Sequence, residues 1–195
     1  MTTSLSRIVF AFAALAALFG SSLHAAKATP LPDDPAVTDQ DRIYMKRAYE
    51  LAVSATTKGN TCYGALLVKD GKVLMEGEND AITSGDTTHH AETGLISKAT
   101  VALGRDVVSG AVLYTSTEPC IMCCGAIRFA GIKKFVYGTT AIQVTRLRGT
   151  KLPDQPLQCR EVFQRMGFGD VVIVGPVDEA RGLVDHAAAL AKGIR

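Results

Sequence analysis

The chain has 195 residues, of which 47% are hydrophobic and 21% are charged. This balance is typical of one folded domain and excludes a disordered chain. The formal net charge is +2 and the Lys and Arg residues are spread along the chain, so no basic run predicts a nucleic-acid-binding surface.

Residues 1–28 are predicted to form a secretory signal peptide. Arg7 supplies a positive start, an apolar stretch covers residues 8–19, and small or polar residues follow as far as Ala25 and Ala28, which is the order found in signal peptides. An uncleaved membrane anchor is the alternative, but the apolar stretch is shorter than the roughly 20 residues that cross a bilayer. We therefore expect cleavage, no stable membrane anchor afterwards, and an exported protein, periplasmic or secreted.

The folded domain is predicted to cover residues 38–195, after a proline-containing linker at residues 29–37. Thr38 and Asp41 have the spacing of a capping box. Apolar residues then recur at helical spacing, and Gly59 ends the pattern. The first element of the domain is therefore predicted to be a helix.

Strands and helices alternate over the rest of the chain. A two-residue turn, Asp70-Gly71, is predicted between the first two strands, because both residues tolerate positive φ. The strands are predicted at residues 64–69, 72–76, 111–115, 134–137 and 171–174, and the later helices at residues 90–103, 119–130, 157–166 and 177–191. Residues 79–88 are predicted to be a polar loop, and residues 141–156 match no element. The alternation predicts an α/β fold, a three-layer α/β/α sandwich with a mixed central sheet of about five strands.

Five cysteines need an explanation in an exported protein, because disulfides persist in an oxidising compartment. An odd number argues against a framework built of disulfides alone. Cys120, Cys123 and Cys124 lie within five positions of one another, and this crowding favours a metal site. Cys62 and Cys159 remain and are able to pair.

Two short motifs carry the candidate metal chemistry. The first is His90-Ala91-Glu92, and the second, separated from it by 26 residues, is Pro119-Cys120-Ile121-Met122-Cys123. Imidazole and thiolate bind zinc well, and catalytic zinc sites use three protein ligands and a water. Both cysteines share one face of a helix start, where the positive end of the helix dipole favours a thiolate. His90, Cys120 and Cys123 are therefore predicted to hold one Zn²⁺ per chain.

Glu92 is predicted to be the catalytic acid and base, and not a ligand. Zinc lowers the pKa of a bound water from about 16 to about 7. A carboxylate beside that water is able to take its proton and pass it to a ring nitrogen and then to a departing amine. The motifs together therefore indicate a hydrolytic deaminase.

Two other interpretations of the same cysteines stay open. One is a structural zinc site with Cys124 or His89 as a fourth ligand. The other is a periplasmic thiol–disulfide oxidoreductase, because a Cys-x-x-Cys pair that follows a strand and opens a helix is typical of redox proteins. The redox interpretation leaves His90 and Glu92 without a role.

These motifs and their neighbouring strands resemble the cytidine and deoxycytidylate deaminase superfamily, whose zinc signature is His-x-Glu followed by Pro-Cys-x-x-Cys. The resemblance extends over residues 41–176, and the nearest branch comprises guanine deaminases, yeast-type cytosine deaminases and bacterial tRNA adenosine deaminases. The stretches that carry it are residues 64–68, Gly77-Glu78-Asn79, residues 113–120, Gly125-Ala126-Ile127 and residues 136–138.

The resemblance implies an enzyme that replaces the exocyclic amino group of a free nucleobase, nucleoside or related heterocycle by a carbonyl, with the guanine or cytosine type favoured. It also implies a base contact from Asn79, a second from the backbone of Ala91, and a homodimer. Asn79 has an alternative role as a turn-forming residue after a strand. Deamination of adenosine in tRNA is the alternative reaction, and the near-neutral charge and the predicted export oppose it.

The chain departs from its relatives near the predicted pocket. Cys62 stands where they often have Pro, and Cys124 stands where they usually have another residue type. Tyr63 is placed either to stack on a flat substrate ring or to pack in the core. No stretch in the C-terminal part matches the aromatic lid or acidic residue that sets base choice in known branches.

Overall fold

The computed structural model describes residues 28–149 and 157–194. The predicted signal peptide lies outside these residues except for Ala28, and its cleavage stays a prediction. Within the described ranges, no helix combines the length and the apolar character that crossing a membrane requires.

The described residues form five strands and eight helices. The strands are β1 Gly64–Lys69, β2 Lys72–Glu78, β3 Val112–Thr117, β4 Lys134–Thr139 and β5 Val172–Val174. The helices are α1 Asp39–Thr57, α2 Ala81–Ser84, α3 Ala91–Leu103, α4 Arg105–Ser109, α5 Ile121–Ala130, α6 Ala141–Leu147, α7 Cys159–Arg165 and α8 Glu179–Ala191.

The sheet is mixed, in the order β2-β1-β3-β4-β5. β1 is antiparallel to both of its neighbours, whereas β4 is parallel to β3 and to β5. Because successive strand residues point to opposite faces, Ala65 and Leu67 pack with α3, α5 and α7, and Leu66 and Val68 pack with α1. The predicted three-layer α/β/α sandwich with five strands is confirmed.

The start of α1 ties this helix to the sheet. The Thr38 hydroxyl accepts from the backbone N–H of Asp41 at 3.1 Å, and the Asp41 carboxylate accepts from the backbone N–H of Thr38 at 3.0 Å. The predicted capping box is therefore confirmed. The buried Asp41 carboxylate also accepts from the Tyr114 hydroxyl of β3 at 2.8 Å and lies 3.6 Å from the Lys134 ammonium of β4.

The hairpin turn between β1 and β2 is confirmed as well. Asp70 and Gly71 have φ values of 50° and 72°, which suit the two-residue turns that match the twist of paired strands. The turn places β2 at the edge of the sheet, and its last residue, Glu78, leads directly to Asn79.

Three short helices were missed in the sequence. α2 lies inside the predicted polar loop, α4 follows α3 after Gly104, and α6 occupies part of the stretch that matched no element. Helices of four to seven residues contain at most two turns, so they show too little periodicity to be recognised.

Several predicted boundaries differ from the structure by one or two residues, and two of these differences have a clear local reason. Strand β4 continues past Gly138 to Thr139, because this glycine lets the strand pass close to its neighbours, and a Cβ there would lie 2.2 Å from the Tyr49 hydroxyl. Helix α5 begins at Ile121 and not at Pro119. Cys120 is the N-cap in an extended conformation, with φ −68° and ψ 171°, so the proline precedes the cap.

The segment at residues 29–37, predicted as a linker, is hydrogen-bonded to the C-terminal part of the domain. The backbone N–H of Asp34 donates to the carbonyl of Pro176 at 2.9 Å, and that of Leu31 donates to the Glu179 carboxylate. The end of the segment therefore lies close to the start of α8.

Candidate active site

Two helix starts bring the predicted metal ligands together. His90 is the N-cap of α3, Cys120 is the N-cap of α5, and Cys123 lies in the first turn of α5. The Nδ1 of His90 is 3.7 Å from the Sγ of Cys120 and 3.6 Å from the Sγ of Cys123, and the two sulfurs are 3.4 Å apart. Among the described residues, these three form the only group placed to hold a metal ion.

The distances fit a tetrahedral zinc ion. Bond lengths of about 2.3 Å to sulfur and about 2.1 Å to nitrogen place tetrahedral ligands about 3.6 Å apart for a sulfur and a nitrogen and about 3.8 Å apart for two sulfurs. The sulfur–nitrogen distances agree with these values, and the two sulfurs are slightly closer. With three protein donors, one corner of the tetrahedron is left for a water or a substrate.

A hydrogen bond, and therefore one shared proton, joins the sulfurs of Cys120 and Cys123. The Cys123 thiol donates to the Cys120 sulfur, and this hydrogen bond, together with the one to His90, lowers the pKa of Cys120 to about 4. The same hydrogen bond, together with burial, raises the pKa of Cys123, and the hydrogen bond to Cys120 raises the pKa of His90. A metal cation would take the place of this proton, because thiolates are the metal-binding form of cysteine.

Glu92 lies next to the three donors. Its side chain is buried, Oε1 accepts from the Thr115 hydroxyl at 3.0 Å, and Oε2 is 3.5 Å from the Cys123 sulfur. Burial raises the pKa of the Glu92 carboxyl, as expected for a group that exchanges protons near neutral pH. The predicted position of Glu92 beside the ligands is therefore what the geometry shows.

A cavity of about 130 Å³ opens onto this group. His90, Glu92 and Cys120 line it, and α6 contributes Ala141, Val144, Thr145 and its C-cap residue Arg148. Tyr63, Thr117 and Glu118 complete the wall. The cavity is the natural place for a small flat substrate, because polar and apolar groups converge there beside the metal ligands.

Asn79 takes part in a local turn after β2. Its side chain is buried, and Oδ1 accepts from the backbone N–H of Ala81 at 3.2 Å, which is the turn-forming role that stayed open. Asn79 lines a separate groove with Lys58 and Glu78 and is absent from the residues that line the cavity. Its contact with a substrate stays a prediction.

Ala91 is the first residue of α3 and is fully buried between His90 and Glu92. As the first helical residue, its N–H has no hydrogen-bond partner inside the helix. Its donation to a substrate stays a prediction.

The candidates for a fourth metal ligand have other partners. His89 contacts the Asp80 carboxylate through Nδ1 at 2.9 Å, and the buried Cys124 thiol donates to the Pro119 carbonyl. Neither residue belongs to the metal-binding group among the described residues, which weakens the structural zinc interpretation. Cys62 and Cys159 are free thiols that lie in different core clusters.

Two charged residues of the cavity wall, and a histidine that contacts this wall, were missed in the sequence. Glu118, Arg148 and His186 come from three different elements, and only Glu118 adjoins a recognised motif. The His186 ring contacts the Thr117 hydroxyl at 3.0 Å and meets the Tyr63 ring edge-on with centroids 5.3 Å apart. No sequence pattern indicates Arg148 or His186, because only tertiary packing brings Arg148 to the cavity and His186 to the wall residues Thr117 and Tyr63.

Residues 38–139 match the family described as the cytidine and deoxycytidylate deaminase zinc-binding region. The match covers more than half of the chain, and it contains the three metal donors and Glu92. The chain therefore belongs to this deaminase family.

Individual relatives bear different substrate names. The chain is 44% identical to guanine deaminase of Bacillus subtilis over 95 residues, which is 48% of this chain and 61% of that protein. It is 29% identical to a probable cytosine deaminase of Schizosaccharomyces pombe over 156 residues, which is 77% of this chain and 92% of that protein.

A solved structure from a study of A-to-I editing by tRNA:A34 deaminases superimposes on this chain with a TM-score of 0.61 and 29% identity, covering 73% of this chain and 98% of the other. The alignment to the B. subtilis guanine deaminase, by contrast, spans about three-fifths of that relative's length. The reaction class is common to these proteins, whereas the substrate differs between them.

Proposed function

We propose that the protein is a zinc-dependent hydrolytic deaminase of a free aminated heterocycle of the guanine or cytosine type. The observation that carries this proposal is the set of donor atoms of His90, Cys120 and Cys123, which lie within 4.8 Å of one another, beside the buried carboxyl of Glu92 and a cavity for a small substrate. The zinc stoichiometry that we propose is one ion per chain.

The reaction adds water to the ring carbon that carries the amino group, breaks the C–N bond, and leaves a carbonyl and ammonia. Zinc, when bound, supplies the acidity that makes water a nucleophile near neutral pH. Glu92 accepts one proton from the water and delivers it to the neighbouring ring nitrogen. It then transfers the second proton, from the new hydroxyl group, to the departing amine, so that a carbonyl and ammonia are formed. Thr115 orients the Glu92 carboxyl through the hydrogen bond at 3.0 Å.

Export and a homodimer complete the proposal. The N-terminal charge and apolar pattern supports export with removal of residues 1–28, and the family resemblance supports the homodimer. An exported enzyme meets small diffusible bases, which is consistent with the small cavity.

The test is ammonia release by the zinc-loaded protein, with Glu92→Gln as the decisive variant. We expect ammonia from guanine or cytosine, and we expect Glu92→Gln to lower kcat by on the order of 10²- to 10⁴-fold, the usual contribution of a general acid and base. The zinc content of the variant should equal that of the wild type, because Glu92 is not a ligand. Full activity in Glu92→Gln would remove this residue from the mechanism.

Deamination of adenosine in tRNA is a second candidate, which the 98% coverage of the tRNA deaminase structure favours. The net charge of +2 argues against it, because RNA binding needs a basic surface for the phosphates. An anticodon stem-loop RNA in the same assay separates the two candidates. Metal-free protein that reduces insulin disulfides would instead support the thiol–disulfide oxidoreductase.

A further inference from the structure

Arg148 is a charged residue of the cavity that the proposed proton transfers do not use. It is the C-cap residue of α6 and lines the same cavity as Glu92. Its Nη2 donates to the Tyr63 hydroxyl at 2.6 Å. Among the described residues it is the only Lys or Arg that lines this cavity, and its guanidinium has no carboxylate partner there.

Tyr63 holds the guanidinium in place. Its ring is nearly parallel to the His90 imidazole, with centroids 6.5 Å apart and an interplanar angle of 13°, and its other side meets His186. Burial raises the pKa of Tyr63, Arg148 lowers it and Glu92 raises it, so both charged groups act on this residue. The metal ligand, Tyr63 and Arg148 therefore form one connected wall.

A guanidinium only donates hydrogen bonds, and it has five N–H groups to give. Tyr63 accepts one of them, and a substrate in the cavity meets the others. The complementary group is an acceptor oxygen. In guanine and in cytosine, the carbon that carries the amino group and the carbon that carries the oxo group flank one ring nitrogen. Adenine has no oxo group.

We propose that Arg148, held by Tyr63, donates to the oxo oxygen of the substrate and so selects oxo-substituted amino heterocycles over oxo-free ones. The proposal rests on the deaminase function proposed above and names the substrate class of the same site. It makes Arg148 a specificity-determining residue that contacts the substrate edge next to the reacting carbon.

Two pairs of substrates test this assignment, because the members of each pair differ in the oxo group and the ring N–H that accompanies it, and keep the same amino group. They are guanine with 2-aminopurine and cytosine with 4-aminopyrimidine. The value of kcat/KM for ammonia release is measured on the zinc-loaded full chain, as wild type, Arg148→Met, Arg148→Lys and Arg146→Met. Arg146 is the matched control, since it is an exposed arginine of the same helix that does not line the cavity.

For the oxo-containing member that the wild type turns over, we expect Arg148→Met to lower kcat/KM by on the order of 10- to 100-fold, and for its oxo-free partner by less than about threefold. Arg148→Lys keeps the charge and is expected to cause a smaller loss, again confined to the oxo-containing member. Arg146→Met should match the wild type for both. The zinc content and melting temperature of each variant show that it is folded.

Three results would overturn the assignment. Equal losses for both members of a pair would make Arg148 a structural residue. Faster wild-type turnover of the oxo-free members would show that no oxo group is selected. A loss seen with cytidine 5′-monophosphate but not with cytosine would show that Arg148 reads a phosphate. The absence of ammonia from every base with zinc-loaded wild type is a different outcome, and it would reject the proposed function itself.

Discussion

The substitution Glu118→Gln is expected to loosen the cavity wall and to destabilise the domain. Glu118 is only 6% exposed. Its Oε2 accepts from the backbone N–H of Ala141 at 3.0 Å, and its Oε1 accepts from the backbone N–H of Cys159 at 2.8 Å. These are the first residues of α6 and α7. One carboxylate therefore satisfies an N–H group at two helix starts, where the helix dipole also favours a negative charge.

The magnitude follows from these two hydrogen bonds. A hydrogen bond to a charged group contributes about 1.5–3 kcal/mol. Glutamine keeps one acceptor oxygen, so one of the two backbone N–H groups keeps its hydrogen bond. The side-chain NH₂ group faces the other backbone N–H, so that hydrogen bond is lost and two buried donors face each other. We expect the free energy of unfolding to fall by about 2–4 kcal/mol, which corresponds to a decrease in Tm of roughly 5–15 °C for a domain of this size.

The assay is urea unfolding of the zinc-loaded protein, followed by circular dichroism. Glu161→Gln is the matched control, because Glu161 is an exposed glutamate of α7 whose pair with Arg165 at 2.8 Å contributes at most about 0.5 kcal/mol. A second readout is kcat/KM for ammonia release. It should also fall, because Glu118 holds the start of α6 and the C-cap residue of α6, Arg148, lines the cavity. If the free energy of unfolding of Glu118→Gln lies within about 0.5 kcal/mol of that of the control, the carboxylate does not hold the two helices, and the reasoning is wrong.

Two further predictions concern the metal ligands and a buried histidine. Cys120→Ser and Cys123→Ser are each expected to lose zinc and stability, because metal binding to the folded state is folding free energy; full zinc occupancy by elemental analysis would contradict this. Burial and Arg148 lower the pKa of His186 to about 4, so between pH 6.5 and 4 the unfolded chain binds a proton that the native protein does not. As the pH falls through this window, the free energy of unfolding of the wild type should therefore decrease by up to about 3 kcal/mol more than that of His186→Gln. Parallel curves of stability against pH for the two proteins would contradict this expectation.

The sheet and the long helices could be predicted because their signals are local. The capping box at Thr38, the Asp70-Gly71 turn and the two metal motifs are each read from a few adjacent residues, and each has the predicted structure. The bounds of β4 could not be read in this way. Gly138 suggests the end of a strand, but it continues the strand because Tyr49, a residue of α1, approaches too closely for any side chain there.

The metal donors could be predicted from adjacent residues, whereas most of the cavity wall could not. Spacing within a motif determines where Cys120 and Cys123 lie relative to each other, since three positions on a helix start form one face. Arg148 and His186 lie 28 and 66 positions after Cys120. Only the packing of α6 and α8 brings Arg148 to the cavity and His186 to the wall residue Thr117. Asn79 shows the converse, because a local turn uses the side-chain oxygen of a residue for which the resemblance implies a base contact.

This difference explains why the family determines the reaction and leaves the substrate open. The family match ends at residue 139, and α6 begins at Ala141. The match therefore contains the metal donors and Glu92 but none of the cavity-lining residues of α6. Relatives that match over the catalytic part are named for guanine and for cytosine. The proposed proton transfers need only matched residues, whereas the proposed hydrogen bond from Arg148 to the substrate comes from outside the match. Substrate choice can therefore change through α6 while the metal site stays the same, and the Arg148 variants separate these two functions within one protein.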